Sequence, residues 1–197
     1  MIKILFFIPT LGHGGAERVL TNLVNHMDKS RFDITVQTMF DVGIYRDKLQ
    51  TGIRYLGGLK RYFRGNTVAF KLLSPGQLYR LYIRERYDMI VSYLEGPSAR
   101  VVSGCNDPDT RLVCWIHGEQ RDLRYASAIF RSVHEAFECY KKYDRIICVA
   151  ETIKQDFGRI FRVGAPVEVL YNTVESDIIR AKKDEPVDDV IFSKDCV

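Results

Sequence analysis

Three glycines, Gly12, Gly14 and Gly15, fall within four positions of the run FFIPTLGHGGAERVLTNLV (residues 6–24), where a strand pattern gives way to helical spacing. The first turn of a helix has free backbone N–H groups and the positive end of the dipole, and so favours an anion such as phosphate. Gly14 and Gly15 carry no Cβ that would hold a diphosphate off the backbone. The spacing is not G-x-G-x-x-G, because Glu17 stands where the third glycine would be, and no G-K-[ST] follows. Two readings stay open: a phosphate approach, or a turn that needs positive φ. Three further residues join the candidates. His117, in CWIHG, stands just past an apolar strand pattern, where an imidazole either hydrogen-bonds a ligand or faces water. Glu95, before Gly96-Pro97, either binds a ligand or stabilises the start of a helix. His13 lies inside the glycine loop and is expected to face the same cleft.

These residues need a scaffold that brings loop ends together, and the rest of the chain supplies one. Strand patterns recur at Ile2–Ile8, Ile34–Met39, Ile53–Leu56, Met89–Tyr93, Leu112–Ile116, Arg145–Val149 and Val167–Tyr171. Several are apolar at nearly every residue, as in sheets covered on both faces. Helical spacing fills the intervals. Val19, Leu20, Leu23, Val24 and Met27 make one stripe on a helix from Ala16 to Met27. Ser74-Pro75-Gly76-Gln77 is a capping box opening a helix to Arg86, and further helices fit Pro97–Cys105, Ala126–Lys142, Thr152–Phe161 and Ser176–Ala181. Alternating β and α predicts an α/β fold with a doubly wound parallel sheet of Rossmann-like type. With 197 residues, 46% hydrophobic and 27% charged, the chain can bury a full core. A net charge of +4 does not demand nucleic acid as a partner. Five scattered cysteines without a C-x-x-C pair argue against a disulfide framework and for a reducing, cytoplasmic setting. No zinc-ligand spacing occurs, so no metal site is expected.

In order, the glycine opening GGAERVLTNLV, WIHG, IICVAETIKQDF and VLYNTVESDII resemble the N-terminal domain of GT-B fold, family 4-like retaining glycosyltransferases, which build lipopolysaccharide, capsule and other cell-surface glycans. Ala150 stands where that family usually has a helix-capping Ser, and Thr173 where it usually has Gly. The resemblance implies that residues 1–180 form the acceptor-side domain and that residues 181–197 begin the link to a second, donor-binding domain. That second domain would carry a basic pair and an E-x7-E element, so this chain alone is expected to be inactive. It also implies a metal-independent retaining transfer with no cofactor. The donor would be a nucleotide-sugar, expected to be a UDP-sugar, and the acceptor a glycan or lipid-linked sugar. Carried over, Gly14 and Gly15 would approach the donor diphosphate, and His13 and Glu95 would be candidates for binding the acceptor sugar. His117 would be the catalytic residue contacting the donor sugar, orienting it or supplying charge stabilisation, and a donor phosphate oxygen would take the acceptor proton.

Residues 51–86 hold eight Lys or Arg against one acid, Glu85. Within them Lys60, Arg61, Arg64, Lys71, Arg80 and Arg84 are candidates for contact with an anionic membrane surface or a lipid-linked diphosphate, which would make the protein peripheral at the inner face of the cell membrane. The alternative is a solvated basic face, with Arg80 and Arg84 on one side of a helix. Two other classes remain: a nicotinamide-dependent oxidoreductase fragment with Asp41 as ribose ligand, and a non-catalytic α/β binding module.

Overall fold

A computed structural model describes residues 1–60 and 66–185. Its strands are β1 (Ile2–Ile8), β2 (Phe32–Thr38), β3 (Ile53–Leu56), β4 (Met89–Ser92), β5 (Arg111–Ile116), β6 (Arg145–Cys148) and β7 (Val167–Val169). All pair in parallel, in the order β3-β2-β1-β4-β5-β6-β7. The helices are α1 (Gly15–His26), α2 (Asn66–Leu72), α3 (Pro75–Tyr82), α4 (Pro97–Val102), α5 (Leu123–Ala126), α6 (Val133–Tyr140), α7 (Glu151–Ile160) and α8 (Ser176–Lys182), with one 3-10 turn at Arg46–Lys48. The expected doubly wound sheet is present.

Alternate residues of each strand feed two cores. Leu5 and Phe7 of β1 join Ile90, Cys114, Ile116, Ile146 and Cys148 under α3, α4, α6 and α7. Ile4, Phe6 and Ile8 face the other way, with Val36, Val91, Tyr93 and Trp115, under Leu20 and Val24 of α1. Residues 4–8 are buried throughout, so the strand carries no polar face. Burial of each such side chain contributes roughly 1.5–3 kcal/mol. The four described cysteines, Cys105, Cys114, Cys139 and Cys148, are buried and unbonded, behaving as small apolar groups.

Most expected elements shift by a residue or two at their ends, and a few differ more instructively. Of the helix predicted over 126–142, residues 133–140 are helical as α6, which Ser132 caps by accepting from the Glu135 N–H; the shorter α5 ends where that range begins and is capped by Asp122, which accepts from the Tyr125 N–H. Between the two, Phe130 is buried in the core. The capping box at Ser74 and Gln77 is present, but α3 stops at Tyr82 because Ile83 turns extended and buries its side chain. Arg84 therefore does not share a helix face with Arg80. The helix expected at 97–105 ends at Val102, and the strand expected over 167–171 ends at Val169, leaving Leu170 and Tyr171 exposed. The helix α8 crosses the boundary expected at residue 180.

Candidate functional site

The strand order reverses direction between β1 and β4, and in such sheets the crevice at the carboxyl ends beside that reversal is where ligands bind. The register aligns Phe7 with Ser92 and Ser92 with Cys114. Three residues beyond that row stand Thr10, Glu95 and His117, each at the same rim. Parallel pairing thus brings together loops separated by about a hundred residues of sequence.

The glycine loop leaves β1 and enters α1 with Gly14 as the extended capping residue, without any side-chain cap. His13, Gly14 and Gly15 are exposed. None of Gly12, Gly14 and Gly15 has positive φ, so the turn-geometry reading of the loop does not hold. A Cβ on Gly15 would meet nothing within 4 Å. At Gly14 an added Cβ would collide with the Glu17 carboxylate, which lies back over the loop with Thr10 Oγ1 donating to it at 3.4 Å. The acid suits the helix start, where it offsets the dipole. The fold's demand for glycine falls elsewhere, on Gly43, which the sequence did not flag. Its φ is +136°, and a Cβ there would land on the Leu11 carbonyl. The Leu11 N–H donates to Val42 C=O at 3.1 Å and Tyr45 N–H to Leu11 C=O at 3.1 Å, so residues 42–45 anchor the base of the loop.

His117 is placed by its neighbours on all sides. Its ring lies 4.8 Å from that of Tyr93 and 6.2 Å from that of Trp115, the latter nearly parallel at 28°. Burial pushes the imidazole down to about 4 from its usual 6.5. It is therefore neutral at pH 7, which removes the charge-stabilising role and leaves the hydrogen-bonding one. Nε2 is buried without a partner, as are Tyr93 Oη and Trp115 Nε1 beside it. Unpaired buried polar atoms are costly, and a cluster of them at a strand end marks a place prepared for a ligand or water. Tyr93 and Trp115 were not singled out in the sequence, where they read as strand core.

Other expectations settle on geometry. Both Glu95 oxygens accept backbone N–H groups, from His117 at 2.9 Å and Gly118 at 3.0 Å, so the carboxylate is engaged within the protein. Asp41 accepts from Tyr55 Oη at 2.7 Å and sits against Gly57, so it does not present a free carboxylate to a ribose. The Tyr55 hydroxyl, chiefly through burial, is pushed up to about 12. Of the basic candidates, Lys60, Arg80 and Arg84 are exposed and Lys71 is half-buried, while Arg61 and Arg64 lie outside the described residues. Nearby, Arg54 is neutralised by two hydrogen bonds to Glu85, and Arg86 pairs with Asp107 at 3.4 Å. Among the described residues no group of three or more His, Cys, Asp or Glu is placed to hold a metal ion. No helix among them is long and apolar enough to cross a membrane.

The sheet and its helices form a Rossmann-like half of the GT-B fold. The chain belongs to glycosyltransferase family 4, whose pattern matches residues 13–178. Among solved structures it is similar to Anabaena Alr3699/HepE in complex with UDP and glucose, at 18% identity and TM-score 0.61, covering 92% of this chain and 50% of that one. The same protein in complex with UDP-glucose matches at 17% identity and TM-score 0.58, covering 92% and 49%. The N-terminal domain of Candida albicans trehalose-6-phosphate phosphatase matches at 10% identity and TM-score 0.62, covering 94% and 52%. At these identities the likeness is one of fold. The chain spans about half the length of these structures. No curated protein sequence matches it.

Proposed function

We propose that this chain is the acceptor-side half of a retaining glycosyltransferase that moves a sugar from a UDP-sugar to a glycan or lipid-linked acceptor. The observation that carries the reading is the His117 imidazole, neutral and unpartnered at Nε2, held at the rim beside the strand-order reversal. A neutral imidazole donates a hydrogen bond from one nitrogen and accepts one at the other. It thereby orients a sugar hydroxyl without adding charge next to the leaving diphosphate. The Gly14–Gly15 tip supplies backbone N–H groups at the start of α1, with no Cβ to hold the diphosphate away. Charge growing on that diphosphate in the transition state meets donors already in place, which is where such donors act most strongly. The basic side chains and remaining nucleotide contacts come from a second domain, in keeping with the half-length match. The transfer needs no metal in this reading, and a donor phosphate oxygen takes the acceptor proton. The exposed Lys60, Arg80 and Arg84 and the half-buried Lys71 are the basic groups that this reading assigns to an anionic membrane or a lipid-linked diphosphate.

His117→Ala in the complete enzyme tests this reading. Turnover with UDP-sugars should fall about a hundredfold with the melting curve preserved. A folded variant that keeps near-normal turnover removes His117 from the site.

The oxidoreductase alternative is not favoured, since Asp41 is held by Tyr55.

A further inference from the structure

Glu95 leaves the end of β4 and reaches across to the turn after β5. One carboxylate oxygen accepts the His117 N–H at 2.9 Å and the other the Gly118 N–H at 3.0 Å. Two adjacent backbone donors on one carboxylate are a charge-assisted clamp, stronger than two neutral hydrogen bonds. The turn is shaped to admit it: a Cβ on Gly118 would lie 2.5 Å from the Glu95 carboxylate. The opposite side of the same residue is held too, since Gln120, itself buried, donates Nε2 to the Gly118 carbonyl at 2.9 Å. Glu95 is aimed by its own neighbour. Gly96 has φ of +68°, a conformation open to glycine, and its N–H points at Tyr140 Oη at 3.4 Å. Every polar group of the 117–118 backbone that these contacts touch is used inside the protein. The His117 imidazole, by contrast, keeps Nε2 unpartnered.

We propose that Glu95 is a positioning residue: its carboxylate braces the His117–Gly118 turn and so fixes where the imidazole stands at the cleft rim, without touching the acceptor. The role in catalysis rests on the transferase reading above; the bracing itself does not. A hydrogen-bonding side chain on a loop is only as precise as the loop, and misplacement by about 1 Å costs about a hundredfold in rate. Glu95 meets the backbone of this residue and not its ring, and burial alone shifts the imidazole; the rings packed on it are Tyr93, just past β4, and Trp115 of β5.

The chain has four histidines, so imidazole NMR can follow His117 by itself. The complete protein is labelled at histidine and titrated from pH 7.5 to the lowest pH at which it stays folded. In the unsubstituted protein His117 should remain neutral well below the ordinary range. In Glu95→Ala the turn loosens, water reaches the ring, and its titration should move about one unit toward 6.5. Glu95→Gln keeps an acceptor for one of the two N–H groups, so its shift should be smaller and rescue should be partial. It also serves where the alanine variant fails to fold. Turnover with UDP-glucose as donor probe, or another UDP-sugar that supports transfer, should fall with kcat rather than acceptor KM. A His117 titration unchanged in both folded variants overturns the proposal. So does a rise in acceptor KM alone with that titration unchanged. Absence of transfer from every UDP-sugar, with the NMR shift as expected, overturns the transferase reading and leaves the brace standing.

Discussion

The two loops that meet at the rim are held in opposite ways. The turn after β5 is gripped by Glu95 on one side and Gln120 on the other, with aromatic rings packed on its histidine. The loop after β1 is anchored at its base, through Gly43 against Leu11, and bare at its tip, where Gly15 has open space around it. A side chain that must present one nitrogen in one direction needs a rigid mount. A backbone that is to let a diphosphate come close, as proposed for this tip, needs open space such as that at Gly15, and mutations separate the two demands.

The largest effect is expected at the base. Gly43→Ala places a Cβ on the Leu11 carbonyl at a φ that only glycine holds at ease, and should destabilise the protein by more than about 4 kcal/mol. Urea unfolding measures it; a loss under about 1 kcal/mol would mean that the loop base is not anchored as described.

At the tip the balance reverses. Gly15→Val meets nothing in the folded chain, so its melting temperature should barely move. On the proposed reading, turnover of the complete enzyme should drop about a hundredfold to a thousandfold, because the branched side chain would displace the diphosphate from the backbone donors. Preserved turnover in this variant would remove the glycine tip from the site.

The smallest effect belongs to the braced turn and is read against pH. The His117 imidazole falls from 6.5 in the unfolded chain to about 4 in the folded one. Between those values the unfolded state binds more protons, so stability rises with pH across the window. The contribution is fully present above about 6.5 and is lost as pH falls toward 4, amounting to about 3 kcal/mol. Denaturant midpoints from pH 7 to 4 should therefore decline less steeply in His117→Gln than in the unsubstituted protein. Equal slopes would show that the ring titrates freely and is not enclosed by Tyr93 and Trp115.

Much of this was written in local pattern. The seven apolar runs became the seven strands because burial of alternate residues on two faces leaves such runs few other stable arrangements. The stripe on α1 and the capping box at Ser74 are short-range devices whose partners lie within a turn or two, so spacing alone revealed them. The break between α5 and α6 was also legible in Asp122 and in Ser132 with Glu135, though helical spacing over 126–142 masked it. The glycine loop and His117 could be placed at strand ends from sequence because parallel strands put all their carboxyl ends on one rim. What sequence could not decide was which groups on that rim are free. Glu95 and Asp41 both read as available acids, yet both Glu95 oxygens accept N–H groups 22 and 23 residues away and Asp41 Oδ1 accepts the Tyr55 hydroxyl 14 residues away. Gly43 looked like any loop glycine until Leu11 was folded against it. The neutrality of His117 likewise depends on Tyr93 and Trp115, which come from two different strands. Hydrogen-bond occupancy and desolvation are properties of what packs nearby in space, and only the tertiary structure decides that.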